Sequence, residues 1–139
     1  MTTVAQALFG STPVAYAPQA SFVVLSAASR AATTSSVVFQ NYFARGLLLV
    51  LDATVGAGAP TLTLQVEAQL ADGEYLVLFA AAAAVAATSV AAYLLLPGAE
   101  LSGDVTEVAA VPVPTNFRIT VTHGTADAVT YSVMGELVA

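Results

Sequence analysis

Hydrophobic and polar positions alternate most regularly over residues 61–69, where Leu62, Leu64, Val66 and Ala68 interleave with Thr61, Thr63, Gln65, Glu67 and Gln69. A period of two gathers the apolar side chains on one face, so this stretch predicts a half-buried strand. Its register is well specified, because a slip of one residue would expose Leu62, Leu64 and Val66 together. The same alternation recurs at Phe117, Ile119 and Val121 against Asn116, Arg118, Thr120 and Thr122, and again at Val129, Tyr131 and Val133 against Thr130 and Ser132, up to Leu137. The intervening segment HGTAD predicts a turn, which makes the last third of the chain a hairpin. Residues 44–52 (ARGLLLVLD) do not alternate. Their nearly continuous aliphatic run predicts a strand covered on both faces or buried in a sandwich core, closed by Gly56, Gly58 and Pro60.

The weaker signals fill in the rest. Phe22 to Ser26 predicts a short strand, the small polar run from Ser29 to Ser36 with Arg30 a loop, and Val37 to Phe39 a lead towards Asn41. Asp72-Gly73 is the favoured pair for a type I′ turn, in which both central residues need positive φ, and it joins the strand at 61–69 to another over Glu74–Phe79. Two prolines, Pro112 and Pro114, and the acids Asp104 and Glu107 predict an irregular crossover over Leu101–Pro114. No internal repeat is present.

Two segments admit more than one reading. Tyr75 to Ala99 carries no charge, and Leu76 to Leu96 has the length of a membrane span. Its centre, however, is mostly alanine around Ala80–Ala92, and acids at Glu74 and Glu100 flank it with no nearby lysine or arginine for an orientation rule to act on. A membrane helix and an alanine-rich helix therefore stand behind a loop followed by a strand over Val90–Leu96, ended by Pro97-Gly98. The first twenty residues are small and polar, broken by Pro13 and Pro18, with Phe9, Val14 and Tyr16 as spaced apolar points. Proline holds such a chain extended and removes ladder donors, so residues 1–20 read as an arm, with those three side chains as candidate contacts to a neighbouring subunit or a larger assembly. The stretch lacks a basic start and a sustained apolar core, and reads as mature sequence, not as a secretory signal.

About eight short strands with turn signals every eight to twelve residues, and no helix, describe an all-β chain: residues 21–139 as a single antiparallel β-sandwich of jelly-roll type behind the arm. Composition sharpens this picture. Of 139 residues, 30 are alanine, 20 valine and 15 threonine, so the high hydropathy comes largely from small and β-branched side chains that suit a pleated surface. The 58% hydrophobic fraction exceeds what one sandwich of this size needs inside, so apolar surface is expected to be covered by association, with a homotrimer as the expectation. Three arginines and no lysine against nine acids leave no cationic footprint for nucleic acid. The absence of cysteine removes disulfides, thiol chemistry and zinc–thiolate sites.

Catalytic chemistry is hard to assemble from these residues. His123 is the single histidine and precedes Gly124, which suggests a polar residue of a turn more than a general base. Asp72 and Glu74 flank one hairpin turn, where solvent would leave neither carboxyl with a raised pKa. Gly56-Ala57-Gly58 and Gly98 open no helix and are not phosphate loops. With nine acids to three arginines, each arginine is expected to pair with a carboxylate, Arg45 and Arg118 next to aliphatic strands among them. No catalytic residue, metal ligand or cofactor is expected.

The order of segments carries a further signal. Ala44-Arg45-Gly46 before the aliphatic strand, Pro60-Thr61-Leu62-Thr63, the hairpin before Tyr75, Pro97-Gly98, Arg118, Val121-Thr122-His123-Gly124 and Thr130-Tyr131-Ser132-Val133 follow one another from Ala44 to Val138. In this order the chain resembles small virion structural proteins encoded among the structural genes of tailed bacteriophages. The polyalanine stretch Ala80–Ala84 and the Pro112–Pro114 pair fall outside that pattern. The resemblance implies a non-enzymatic structural role in the virion. Size, acidity and a compact β domain point within it to a capsid decoration protein on the outer surface of the head, bound to the major capsid protein, with no membrane and no direct nucleic-acid contact. A tail or head–tail adaptor component is the alternative, and a carbohydrate-binding module an alternative of another class.

Overall fold

The alternating segment at 61–69 is strand β5 (Leu62–Gln69), the aliphatic run is β4 (Gly46–Val55), and the predicted C-terminal hairpin is β9 (Asn116–His123) with β10 (Val129–Val138). The computed structural model describes residues 21–138; the proposed arm, with Phe9, Val14 and Tyr16, lies outside them. The remaining strands are β1 (Ser21–Arg30), β2 (Thr34–Ser35), β3 (Phe39–Gln40), β6 (Tyr75–Ala80), β7 (Ser89–Leu95) and β8 (Glu107–Ala109). They form two packed sheets, one ordered β1-β10-β4-β7-β8 and the other β2-β9-β5-β6 with β3 also on β9. The described chain is a β-sandwich.

The pairing is nested. β1 joins β10, β2 and β3 join β9, β4 joins β7, and β5 joins β6, all antiparallel, with successive pairs falling in alternate sheets. The chain therefore behaves as one long hairpin whose apex is the 71–73 turn, rolled so that its two layers face each other. The predicted 117–137 hairpin is different in kind: β9 and β10 are consecutive, yet they lie in opposite sheets, and HGTAD is a crossover between layers.

The apex hairpin forms where predicted, with a different turn. Gly73 N donates to Leu70 O at 2.9 Å and Leu70 N to Glu74 O at 2.7 Å, so Ala71 and Asp72 are the central pair and Gly73, at φ 90°, completes a three-residue loop. That geometry asks for positive φ at one residue only, which glycine supplies without a Cβ clash.

Two other expectations change, and a third holds. β1 runs on to Arg30, through residues expected in a loop, because small Ala27, Ala28 and Ser29 tolerate two register shifts against β10. The 101–114 crossover contains β8, which pairs with β7 in parallel, the one parallel pair among the described strands. The alanine run is a loop, as favoured, and β7 follows it; no helix in the described residues is long and apolar enough to cross a membrane. What holds this loop is Glu107, whose Oε1 and Oε2 accept the Ala82 and Ala83 amides at 2.8 and 3.1 Å, while Ala81 and Val85 are buried below. A charged acceptor thus satisfies two backbone donors that no alanine side chain could.

Inward residues of both sheets make one core. Leu47, Leu49 and Leu51 of β4 meet Leu64 and Val66 of β5 and Ile119 and Val121 of β9, all fully buried. Rings cross between layers at 5.0 Å (Phe22–Phe39) and 6.2 Å (Phe79–Tyr93). The Tyr93 phenol is pushed up to about 12, first by burial and then by the Glu107 carboxylate. The folded chain therefore keeps a proton that the unfolded chain releases above its ordinary value near 10. Stability is expected to be intact below about pH 10 and to fall by about 3 kcal/mol as pH rises from about 10 to about 12. Urea titrations across that range should show Tyr93→Phe losing the larger part of this decline; an unchanged decline would assign it to other groups.

Candidate functional site

The two outer faces of the sandwich differ in chemistry. On the β2-β9-β5-β6 sheet the outward positions are largely polar, with Val77 of β6 an exception, and at their centre Glu67 of β5 stands opposite Arg118 of β9. Arg118 Nε donates to Glu67 Oε1 at 2.7 Å, and Thr120 Oγ1 donates to the same oxygen at 2.6 Å. Ser35 of β2 lies 2.8 Å from Thr120 Oγ1, and the Arg118 guanidinium sits 3.5 Å from the centre of the Tyr75 ring. The network spans all four strands. Its groups satisfy one another, which fits a clasp across the sheet better than a reaction centre: one carboxylate is engaged by a cation and a hydroxyl, and no second acid lies beside it.

On the β1-β10-β4-β7-β8 sheet the outward positions are largely apolar. Register aligns Val23, Met134, Val50 and Ala92 in one row and Leu48, Leu94 and Val108 in the next, with Ser21 and Glu136 at its end. Asp52 and Val90 form a third row, in which Val90 is 65% exposed. The continuous aliphatic run of β4 predicted a strand covered on both faces or buried in a sandwich core, and Leu47, Leu49 and Leu51 are in that core. Among the described residues the inner face is covered by the opposing sheet, whereas Leu48 and Val50 look outward.

The other sequence candidates fall apart from one another. His123 is the last residue of β9 and continues the inward phase of Phe117, Ile119 and Val121, so its ring packs into the end of the core and not into a turn. Its centroid lies 5.7 Å from that of Tyr131, and Nε2 lies 3.3 Å from the Tyr131 hydroxyl. Burial, and then the charge of Arg30, hold the imidazole pKa below its ordinary value and so favour the neutral ring. Nδ1 is buried without a partner. Arg30 does not meet a carboxylate, as all three arginines were expected to: it donates to the Tyr131 and Ser26 carbonyls at 2.9 and 2.6 Å and lies 4.7 Å from the Tyr131 ring centre. Arg45 is exposed and has no carboxylate partner among the described residues, so only Arg118 follows that expectation. Asp72 Oδ1 accepts the Glu74 amide at 3.0 Å, which is turn chemistry. Among the described residues no three acidic or histidine side chains converge.

Outward phase of Glu67 and Arg118 was legible in the alternation, but their partnership was not, since 51 residues separate them. Comparison of the chain with protein-family models, with characterised proteins and with solved structures finds no match.

Proposed function

We propose that this chain is a non-enzymatic capsid decoration protein, a jelly roll that binds the outer surface of an assembled phage head, bridges capsomers of the major capsid protein and stabilises the closed shell. The observation that carries the reading is the outward apolar face of the β1-β10-β4-β7-β8 sheet, with Leu48, Val50 and Leu94 partly exposed and Val90 well exposed on a strand pair whose inner face already fills the core. Contiguous apolar surface of this kind marks a protein contact. In the proposed particle that face is buried between three copies at local threefold positions, and the trimer binds the lattice in preference to its dissociated parts.

The jelly-roll assignment rests on the nested pairing, in which successive strand pairs of one rolled hairpin alternate between two sheets. That fold serves viral capsid and lectin domains alike, so it does not by itself choose a function. Against the carbohydrate-binding alternative, Arg118 already covers one face of Tyr75, the aromatic ring nearest the polar sheet face.

Quantitative gels of purified particles test the assignment. Copies per virion on the order of hundreds, matching capsomer positions, are expected for a head protein. A few copies would transfer the protein to the tail or head–tail junction, and absence from particles would overturn the virion reading. Light scattering of the free protein is expected to give a trimer at micromolar concentration; a strict monomer that also fails to bind heads would count against it.

A further inference from the structure

At the Phe117 end of the sandwich the core opens into a depression of about 190 Å³ lined by Phe22, Phe39, Gln40, Phe117 and Leu137. Three of these are phenylalanines whose rings tilt against one another, with centroids 5.0 and 5.7 Å apart along Phe22–Phe39–Phe117, and Gln40 is the one polar lining residue among those described. Phe117 at its floor is fully buried, while Phe22, Phe39 and Leu137 are partly open to solvent. An apolar cavity of about 150 Å³ accepts a benzene ring, so the space suits one aromatic side chain.

We infer that this depression is the seat of Tyr16 of the same chain. The described chain begins at Ser21, next to Phe22 on the rim, and twenty residues precede it. None of those twenty carries a charged side chain, so an apolar seat costs them no buried charge. Their aromatic residues are Tyr16 and Phe9. Tyr16 is five residues from Ser21, a reach of up to about 16 Å, and a short tether holds its ring at an effective concentration of order millimolar. Phe9 and any ring from another copy lack that advantage. Gln40 completes the match: its Oε1 accepts the Tyr42 hydroxyl at 2.7 Å, which leaves the amide Nε2 as a donor at the mouth for a second phenol oxygen.

The absence of native cysteine makes a direct test possible. In the full-length chain, Ala17→Cys and Gln40→Cys are introduced together, once with Tyr16 retained, once with Tyr16→Ala and once with Tyr16→Phe. The tether is identical in all three, so any difference reports the ring. An intramolecular disulfide is expected to form at least tenfold faster with Tyr16 or Tyr16→Phe than with Tyr16→Ala. Equal rates in the three backgrounds would overturn the inference, and disulfide-linked dimers would overturn it in favour of a neighbour's segment as the occupant. Ala17→Cys paired with Leu137→Cys, on the opposite rim, repeats the comparison should the Gln40 variant fold poorly.

Discussion

Replacing Phe117 with alanine is expected to lower the stability of the sandwich by about 3–5 kcal/mol. The ring is fully buried, packs 5.7 Å from Phe39, and belongs to the central strand of its sheet, β9, which pairs with β5 on one side and with β2 and β3 on the other. Removing it takes away a large apolar burial and leaves a void that β-strands, tied by ladders on both sides, cannot collapse to fill. The void would open onto the depression beside it, where water could enter, which sets the loss within that range and not beyond it. Phe39→Ala offers the comparison: Phe39 is partly exposed and sits on a two-residue strand, so its loss is expected to be clearly smaller. Urea unfolding with intact slope decides between them. A cost of Phe117→Ala below about 1 kcal/mol, or equal costs for the two, would show that this end of the core is not closed by the aromatic stack.

Phe117 also shows which part of the fold can be read along the chain. Its inward phase follows from alternation with Asn116 and Arg118, and the same rule orients Leu62 to Ala68 and Val129 to Val133. Strand existence and facing are local properties, so they are legible. Partnership is not local. Nothing within residues 116–138 indicates that β9 and β10 part into different sheets, because a five-residue connection can close a hairpin or cross between layers at similar entropic cost. The Asp72-Gly73 turn failed for a smaller reason: glycine serves equally as the second residue of a two-residue loop or the last of a three-residue loop, and the flanking register selects one. His123 was assigned to a turn on the strength of Gly124, whereas its phase continues that of Val121 and sends it inward; weighing the period above the neighbour would have found it. Glu107 is the residue least visible beforehand. Its service to the alanine loop depends on the parallel pairing of β8 with β7, which the prolines around 112–114 obscured.

The outward apolar positions of β4 and β7 carry the clearest functional signal, because no other described residue packs over them as the opposing sheet packs over their inner face. Val90→Glu is therefore expected to abolish association while leaving the fold in place. Val90 is 65% exposed and stands beside Asp52 in the outward row, so in the separate chain a glutamate there costs within about 1 kcal/mol, mostly in strand preference and like-charge proximity. In an interface made by this face the same carboxylate would be taken out of water next to another acid, with three arginines in the whole chain and none on that row to pair with it. An uncompensated buried charge costs several kcal/mol, and about 3 kcal/mol already weakens association by roughly a hundredfold. Thr63→Glu, on the outward side of the polar sheet opposite Thr122, adds the same charge to the other face and is expected to leave association unchanged. Light scattering and binding to undecorated heads read both variants, with melting temperature as the check on folding. A Val90→Glu protein that melts normally and still assembles and binds like the parent would remove this face from the interface, and a Thr63→Glu protein that failed to assemble would move the interface to the opposite sheet.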